Sequence, residues 1–165
     1  MSLFDLNLLK LLFLFGFTLH NLEESIWLPE WSKQAGNYHK PIERNAFVFA
    51  VICITVLGIL LTALDVWVGG PGRVVTLVYL GFVGMMGLNA LFPHLLATIV
   101  LKRYAPGLLT GLLLNLPLSI LIISVYKAGF QFSLVLFTIL LVSLILAGSL
   151  RYLFALGNRF ITFNE

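Results

Sequence analysis

Long apolar runs alternate with short breaks rich in glycine, proline or charge along this sequence. The runs occupy about residues 3–24, 46–68, 74–101, 107–126 and 130–156. Each approaches the ~20 residues that an α-helix needs to cross about 30 Å of hydrocarbon. They lack the frequent turn signals that separate the strands of a membrane barrel. The pattern predicts an all-α fold, a polytopic membrane bundle of five transmembrane helices with a polar loop after the first.

Composition narrows the class of protein. Hydrophobic residues make up 60% of the 165 residues and charged residues 10%, whereas a soluble domain carries about 25% charged residues. The length suits a single membrane domain, residues 1–165. The net charge of +3 is spread along the chain, so we expect membrane lipid and not nucleic acid as a partner. Because Asp5 replaces a basic leader region, we expect the first run to remain in the mature protein.

Positively charged residues predict the orientation of the helices. Five spans put the termini on opposite sides, and basic residues gather on the cytoplasmic side. One side would carry Lys33, Lys40, Arg44, Lys102, Arg103, Arg151 and Arg159, and the other Arg73 and Lys127. This bias predicts an outer N-terminus and a cytoplasmic C-terminus, in the cytoplasmic membrane if the protein is bacterial. Asp5 and Lys10 are then expected at the outer interface.

Three ionisable residues end the first apolar run. His20, Glu23 and Glu24 are spaced i, i+3 and i+4, so a helix would present them on one face. Charged groups at the edge of hydrocarbon are costly and usually functional. The simpler interpretation is that these side chains are interfacial groups where the helix leaves the membrane.

The predicted topology brings polar residues of other helices to the same depth. These residues are Asn89 and His94 in the third run, Thr110 and Asn115 in the fourth, and Arg151 in the fifth. Polar groups inside a membrane normally face the bundle interior and pair with one another. The convergence predicts one shared pocket in the inner leaflet. Taken singly, each residue has a simpler role, such as an interhelical hydrogen bond or, for Arg151, a lipid-headgroup contact.

Imidazole and carboxylate groups together form the ligand sets of zinc and iron sites. The sequence therefore suggests a divalent metal, zinc or iron, bound by His20, Glu23, Glu24 and His94. A glutamate that does not bind the metal would serve as general base, so Glu23 and Glu24 are also the catalytic candidates. The remaining polar residues of the pocket, Asn89, Thr110, Asn115 and Arg151, would orient the ligands or bind substrate.

Two stretches resemble a known family. His20-Asn21-Leu22-Glu23-Glu24 resembles the signature of the HXXEE domain family, small multi-spanning membrane proteins of unknown function. The stretch from Asn89 to His94 and the stretch Arg103-Tyr104-Ala105-Pro106-Gly107-Leu108-Leu109-Thr110 resemble the second characteristic region of that family. The resemblance covers about residues 10–155. It implies a site at these residues and leaves the reaction open.

Three hypotheses about function follow. The first is a membrane-embedded metal-dependent enzyme, most simply a hydrolase, that acts on a lipid-soluble or inner-leaflet substrate, with iron-dependent oxidation as a variant. The second is a small transporter or ion-binding protein that uses the buried carboxylates, which at this length would need to form a homodimer. The third is an accessory membrane subunit without catalysis.

Overall fold

The computed structural model describes residues 3–36, 40–126 and 129–160, so Lys127 of the topology argument lies outside the described residues. Within these ranges the chain forms helices and no strands, which confirms the all-α prediction. Five helices can be followed through this described part. They are α1 (Leu3–Lys33), α2 (Arg44–Val68), α3 (Val74–Leu101), α4 (Leu108–Tyr126) and α5 (Phe132–Phe160).

Four of these helices, α2 to α5, are long and apolar enough to cross a membrane, counting only the described residues. The chain is thus a multi-pass membrane protein. The prediction of five transmembrane helices is confirmed for these four only, because α1 is not among them. Helix α1 is long, but acidic and basic residues are distributed along it, including Asp5, Lys10, Glu23, Glu24 and Glu30.

Helix α1 also continues beyond its predicted end near residue 24. It includes Pro29 and runs to Lys33, although the sequence predicted a loop from residue 25. The reason is tertiary packing: Trp31 is only 7% exposed and packs with Ala97 and Ala105 in a small second core. This extension therefore holds α1 against the C-terminal end of α3 and the loop that follows it.

The faces of α1 explain where its polar residues go. Lys10, Phe13, Phe17 and His20 follow one another at spacings of three or four residues, and all four are buried. The opposite face is apolar and exposed, with Leu8, Leu11, Leu12, Phe15 and Leu22 between 47% and 62% exposed. Helix α1 therefore has a buried face that carries Lys10 and His20 and an exposed face that is apolar.

Aromatic rings fill the middle of the buried face of α1. Phe82 of α3 packs edge-on against both Phe13 and Phe17, with ring centroids 6.5 and 5.3 Å apart. All three rings have no exposed surface. They form an aromatic layer that divides the buried polar residues of α1 into two groups, Lys10 on one side and His20 with Glu24 on the other.

Helices α3 and α4 are both interrupted near the level of His20. Helix α3 is kinked within Ala90–Leu95, and α4 becomes π-helical at Gly111–Asn115. In α3, Phe92 leaves the helical region with φ −134° and ψ 117°, next to Pro93, which has no N–H to donate. Such π-helical turns often accompany functional sites. Here the interruption brings Asn89 and His94 of α3 to the same place.

A buried ion pair lies beyond the aromatic layer. Lys10 Nζ lies 2.7 Å from Asp65 Oδ2, and the two residues are 2% and 1% exposed. The hydroxyl of Thr76 donates to the other carboxylate oxygen of Asp65 at 2.5 Å. The prediction that Lys10 is an interfacial group is therefore wrong, because Lys10 finds a counter-ion on α2 inside the bundle.

This ion pair predicts a strong asymmetry between single and double substitutions. Asp65→Leu leaves the Lys10 ammonium buried without its counter-ion, so we expect a loss of roughly 3–5 kcal/mol of stability. The double variant Lys10→Met/Asp65→Leu should recover most of that loss, because no isolated charge remains. Thermal unfolding in detergent, followed by circular dichroism, measures both effects.

The exposed pair of Lys33 and Glu30 provides the control, since its side chains are 57% and 66% exposed. Lys33→Met should change stability by less than about 1 kcal/mol. An unfolding temperature of Asp65→Leu equal to that of the wild type would show that the ion pair does not stabilise the fold.

Candidate functional site

Helices α1 and α3 bring three potential metal ligands together. Glu24 Oε1 lies 2.9 Å from His94 Nε2 and 3.6 Å from His20 Nε2. The imidazole rings of the two histidines are nearly perpendicular, with centroids 5.1 Å apart. One ligand atom from each of the three residues lies within 4.8 Å of the others. We call His20, Glu24 and His94 the ligand triad.

The triad is largely shielded from solvent. His20 is 0% exposed and His94 3%, while the side chain of Glu24 keeps 14% of its surface exposed. Glu24 is thus the member of the triad that borders open space.

A backbone carbonyl fixes the orientation of His20. Its Nδ1 lies 3.0 Å from the carbonyl oxygen of Gly107 and 3.2 Å from Thr110 Oγ1. Because a carbonyl oxygen can only accept, Nδ1 carries the proton and Nε2 keeps its lone pair. That lone pair faces the triad. This arrangement is the one in which histidines usually bind metal.

The backbone of Gly107 packs against the imidazole rings of both His20 and His94. Its φ of +91° lies in the left-handed region of backbone conformation, which glycine adopts more readily than other residues. A Cβ atom at this position would lie 2.8 Å from Cε1 of His20 and 2.8 Å from Cε1 of His94. Any larger residue would therefore push the two imidazoles away from their positions in the triad.

Glu23 performs a different task from its neighbour Glu24. Its Oε1 accepts hydrogen bonds from the backbone N–H of Gly107 at 2.8 Å and from the hydroxyl of Tyr104, and its Oε2 accepts one from Thr110 at 2.6 Å. Three donors thus occupy the Glu23 carboxylate, which lies outside the triad. Glu23 holds the 104–110 segment against α1.

Tyr104 supports this attachment from the loop between α3 and α4. Its oxygen donates to Glu23 and accepts from the backbone N–H of Leu109 at 3.2 Å. Partial burial, together with the hydrogen bond to Glu23, raises the pKa of the Tyr104 phenol. Tyr104 consequently remains a hydrogen-bond donor at neutral pH.

Asn89 lies between the two histidines. Its Nδ2 is 3.1 Å from Nε2 of His20 and 3.0 Å from Nε2 of His94. An amide NH₂ group has two hydrogens, so it can contact both rings at once. The structure therefore brings Asn89 to the triad, and it brings Thr110 to His20 and Glu23.

Two predicted pocket residues lie elsewhere. Asn115 is fully buried, and neither its Oδ1 nor its Nδ2 has a hydrogen-bond partner among the described residues. It packs near Gly16 on α1, one turn from the level of His20. Arg151 is exposed on α5, whereas its neighbours Leu150 and Phe154 face the bundle. Matching depth predicted both residues, but depth does not specify the face of a helix.

Sequence reasoning did not select Tyr104 and Gly107 as site residues. The sequence feature that could have indicated Gly107 is the pair Pro106-Gly107 directly before a helix. Such pairs mark turns, in which glycine permits an unusual backbone conformation. That signal predicts a turn, and it does not reveal that the turn contacts α1.

A cavity of about 610 Å³ adjoins the triad. Glu24, Asn89 and His94 contribute polar surface to its wall, while most of the other lining residues are apolar and come from α1, α2, α3 and α5. Glu23 instead borders a separate cleft of about 780 Å³, together with Tyr104 and Arg103. The two adjacent glutamates therefore face different spaces.

The triad fits a divalent metal ion. Ligands at about 2.0–2.2 Å from a tetrahedral centre lie about 3.3 Å from one another, close to the observed separations of 2.9 and 3.6 Å. Two imidazoles and one carboxylate form the ligand set of several catalytic zinc sites and of non-haem iron sites.

Comparison with known proteins identifies the family of the chain. The chain matches the family described as "Protein of unknown function with HXXEE motif" over residues 11–122, which include all the triad residues and the 104–110 segment. It is 44% identical over 149 residues to the uncharacterized protein YrkK of Bacillus subtilis (strain 168), a match that covers 89% of this chain and 94% of that protein. No solved structure matches the chain. The resemblance identified in the sequence is thereby confirmed, and the chain belongs to the HXXEE family.

Proposed function

We propose that this protein is a membrane-embedded metal-dependent enzyme of the hydrolase type. His20, Glu24 and His94 bind the metal, zinc or iron, and the substrate is lipid-soluble or associated with the inner leaflet. The observation that carries the proposal is the convergence of these three ligands on the wall of a largely apolar cavity.

The electrostatics of the triad favour a bound cation. The Glu24 carboxylate and the Nε2 lone pair of His20 point towards the same small space, and His94 Nε2 completes the group. The Asn89 amide offers hydrogen bonds to the two Nε2 atoms, whereas a carboxylate beside two imidazole nitrogens is best stabilised by a positive charge among them. A divalent ion satisfies all three ligands at once, whereas a single proton satisfies two.

The chemistry of the site divides between the ion and the protein. A zinc or iron ion would supply Lewis acidity, which polarises a substrate oxygen and makes a water molecule a better nucleophile. Gly107 holds the Nδ1 proton of His20, so that Nε2 stays available as a ligand. Asn89 lies within hydrogen-bond distance of both Nε2 atoms and would turn away from their lone pairs when an ion is bound, and the partly exposed Glu24 is the carboxylate next to the substrate cavity.

The geometry favours a positioning role for Glu23 over the role of metal ligand or general base. The three hydrogen bonds that the Glu23 carboxylate accepts all come from the 104–110 segment. A general base must reach the proton that it removes within about 3 Å, and Glu23 faces the cleft on the other side of α1. Glu24 is therefore the carboxylate that we propose as the metal ligand.

We further propose that α1 is a fifth span, despite its polar residues. Polar side chains in membrane helices are tolerated where they face the bundle interior. Lys10, His20 and Asn21 are at most 5% exposed, whereas the apolar face is available to lipid. With five spans, the distribution of basic residues supports an outer N-terminus and a cytoplasmic C-terminus.

A small transporter or ion-binding protein is the second candidate. The buried pair of Lys10 and Asp65 favours a transporter, because this pair is a second charged site in the other half of the bundle. The aromatic layer argues against a transporter, since Phe13, Phe17 and Phe82 fill the space between the triad and the ion pair. An accessory subunit without catalysis would need neither a retained metal nor a cavity beside the triad.

Metal content gives the direct test. We expect detergent-purified wild type to retain about one zinc or iron per chain, because three ligands on a prepared site bind divalent metal tightly. Glu24→Gln and His94→Ala should each reduce the retained metal by roughly tenfold or more. Elemental mass spectrometry on the purified variants measures this.

Glu23→Gln is the matched control, because the same change is made one residue away. We expect it to retain metal while it lowers the unfolding temperature, since the amide accepts hydrogen bonds from the 104–110 segment less well than the carboxylate. Wild type free of stoichiometric metal, prepared without chelators, would refute the metal-dependent enzyme. Equal loss of metal in Glu23→Gln and Glu24→Gln would refute the proposed division of roles.

The sides of the membrane on which the two termini lie test whether α1 is a fifth span. Five spans put the termini on opposite sides of the membrane, whereas four spans put them on the same side. We expect an epitope tag at the N-terminus to be cleaved by protease added to intact cells. A C-terminal tag should be cleaved only after permeabilisation. Cleavage of both tags from the same side would show that α1 does not cross.

A further inference from the structure

We infer that the cavity beside the triad takes the chain of a single-chain amphipathic lipid, with the lipid's polar group at the inner end of the bundle. This inference rests on the proposed function, because it specifies the substrate class of the same site. It follows from the length of the cavity, the distribution of polarity along it and the shape of its walls.

The cavity extends over one leaflet. On α2 its wall runs from Ala46 to Ile54, a rise of about 12 Å, and Glu43 extends it just before the helix begins. On α5 the wall runs from Leu146 to Asn158, a rise of about 18 Å. The hydrocarbon of a bilayer is about 30 Å thick, so the cavity reaches roughly the middle. A lipid of the leaflet at the inner end therefore has a chain of suitable length.

Polarity changes along the cavity as it does along an amphipath. Glu43 and Asn158 are exposed at the end where α2 begins and α5 finishes. The opposite end is formed by apolar side chains, among them Ile54, Met85 and Met86. Methionine side chains are flexible and adapt to irregular shapes. A polar headgroup thus matches the first end and a flexible apolar chain the second.

The triad lies between these two ends. Along α3, Asn89 and His94 follow Met85 and Met86 and precede Ala97, and all of these residues border the cavity. Only four residues, about 6 Å of helix, separate Asn89 from Met85 at the apolar end. A lipid seated with its head at Glu43 would therefore bring its acyl chain past Glu24.

The walls favour one chain over two. A volume of about 610 Å³ lies in the range of pockets that enclose one small ligand. Helices α2 and α5 are in contact at Gly157, where a Cβ atom would lie 2.7 Å from Cα of Ala46. That contact closes the cavity on one side. Ala147 of α5 lines the cavity and is itself exposed, so a chain can approach from lipid past this small residue.

Photolabelling tests the inference. The probe is a lysophosphatidylethanolamine with a diazirine near the end of its acyl chain, added to the full-length protein in nanodiscs of unlabelled phosphatidylcholine. We expect adducts on Met85, Met86 or Ile54, mapped by peptide mass spectrometry. A phosphatidylethanolamine with the same diazirine on one of two chains should label lipid-facing residues such as Leu144, which is 72% exposed.

Two tryptophan substitutions on α5 provide the matched pair. Ala147→Trp places a bulky side chain at the cavity wall, so we expect labelling of Met85, Met86 and Ile54 to fall by about tenfold, as the chain loses its space. Ala155 is exposed on the same helix but does not line the cavity, so Ala155→Trp should label like the wild type. Equal labelling in both variants would overturn the inference, as would labelling confined to lipid-facing residues in the wild type.

Metal content separates this inference from the proposed function. Glu24→Gln removes a ligand and leaves the apolar walls intact, so it should lose metal and keep the labelling pattern. Normal metal content with no labelling inside the cavity would refute the substrate class alone. Cavity labelling in wild-type protein that holds no metal would refute the metal-dependent enzyme and leave the lipid site standing.

Discussion

The peptide unit of Gly107 is the constraint on which the site depends. Its N–H donates to Glu23 and its carbonyl accepts from His20, so that one residue is bonded to two side chains one turn apart on α1. The spacing of three residues between His20 and Glu23 is what lets both reach the same backbone unit. Glu24, one residue further along, is left free to meet His94. In this chain the first glutamate of the motif makes the attachment, and the histidine and second glutamate of the motif lie beside His94.

This attachment connects distant parts of the chain. The 104–110 segment comprises the end of the loop after α3 and the first residues of α4. Helix α3 is kinked before this segment, and α4 changes to a π-helical turn directly after it. These two interruptions bring His94 and Asn89 to His20 and leave room for the chain at Gly107. Because the segment bonds to α1, the positions of α3 and α4 relative to the triad are set together. A loss of the Glu23 contacts would loosen the site without removing a ligand.

The sequence was sufficient for the helices, because apolar runs of 20 residues allow few alternatives. It was insufficient for the end of α1, where the contacts of Trp31 with Ala97 and Ala105 outweigh the signal of Pro29. It also misassigned Lys10, since the partner Asp65 is 55 positions away and nothing local indicates the pairing. Average hydropathy likewise cannot distinguish polar residues that face lipid from those that face the bundle, which is why α1 is not among the four helices selected by length and hydropathy.

For the site, topology correctly brought His20, Glu24, Asn89 and His94 to one depth. Depth did not separate Glu23 from Glu24, because spacings of three and four residues both lie on one helical face. Their different roles arise from a backbone N–H and a hydroxyl contributed by a segment 80 residues later. Arg151 was included for the same reason of depth and lies on the outer side of α5. Rotation of each helix about its axis is the information that the sequence lacks.

The aromatic layer of α1 has a consequence for thermodynamic coupling. Lys10 and His20 are ten residues apart, about 15 Å along the helix axis, with Phe13 and Phe17 between them. At an effective dielectric constant of about 20, two unit charges at this distance interact by only about 1 kcal/mol. Occupancy and protonation in the half that contains the triad are therefore nearly independent of the ion pair in the other half. One short bundle thus contains two polar centres whose free energies add.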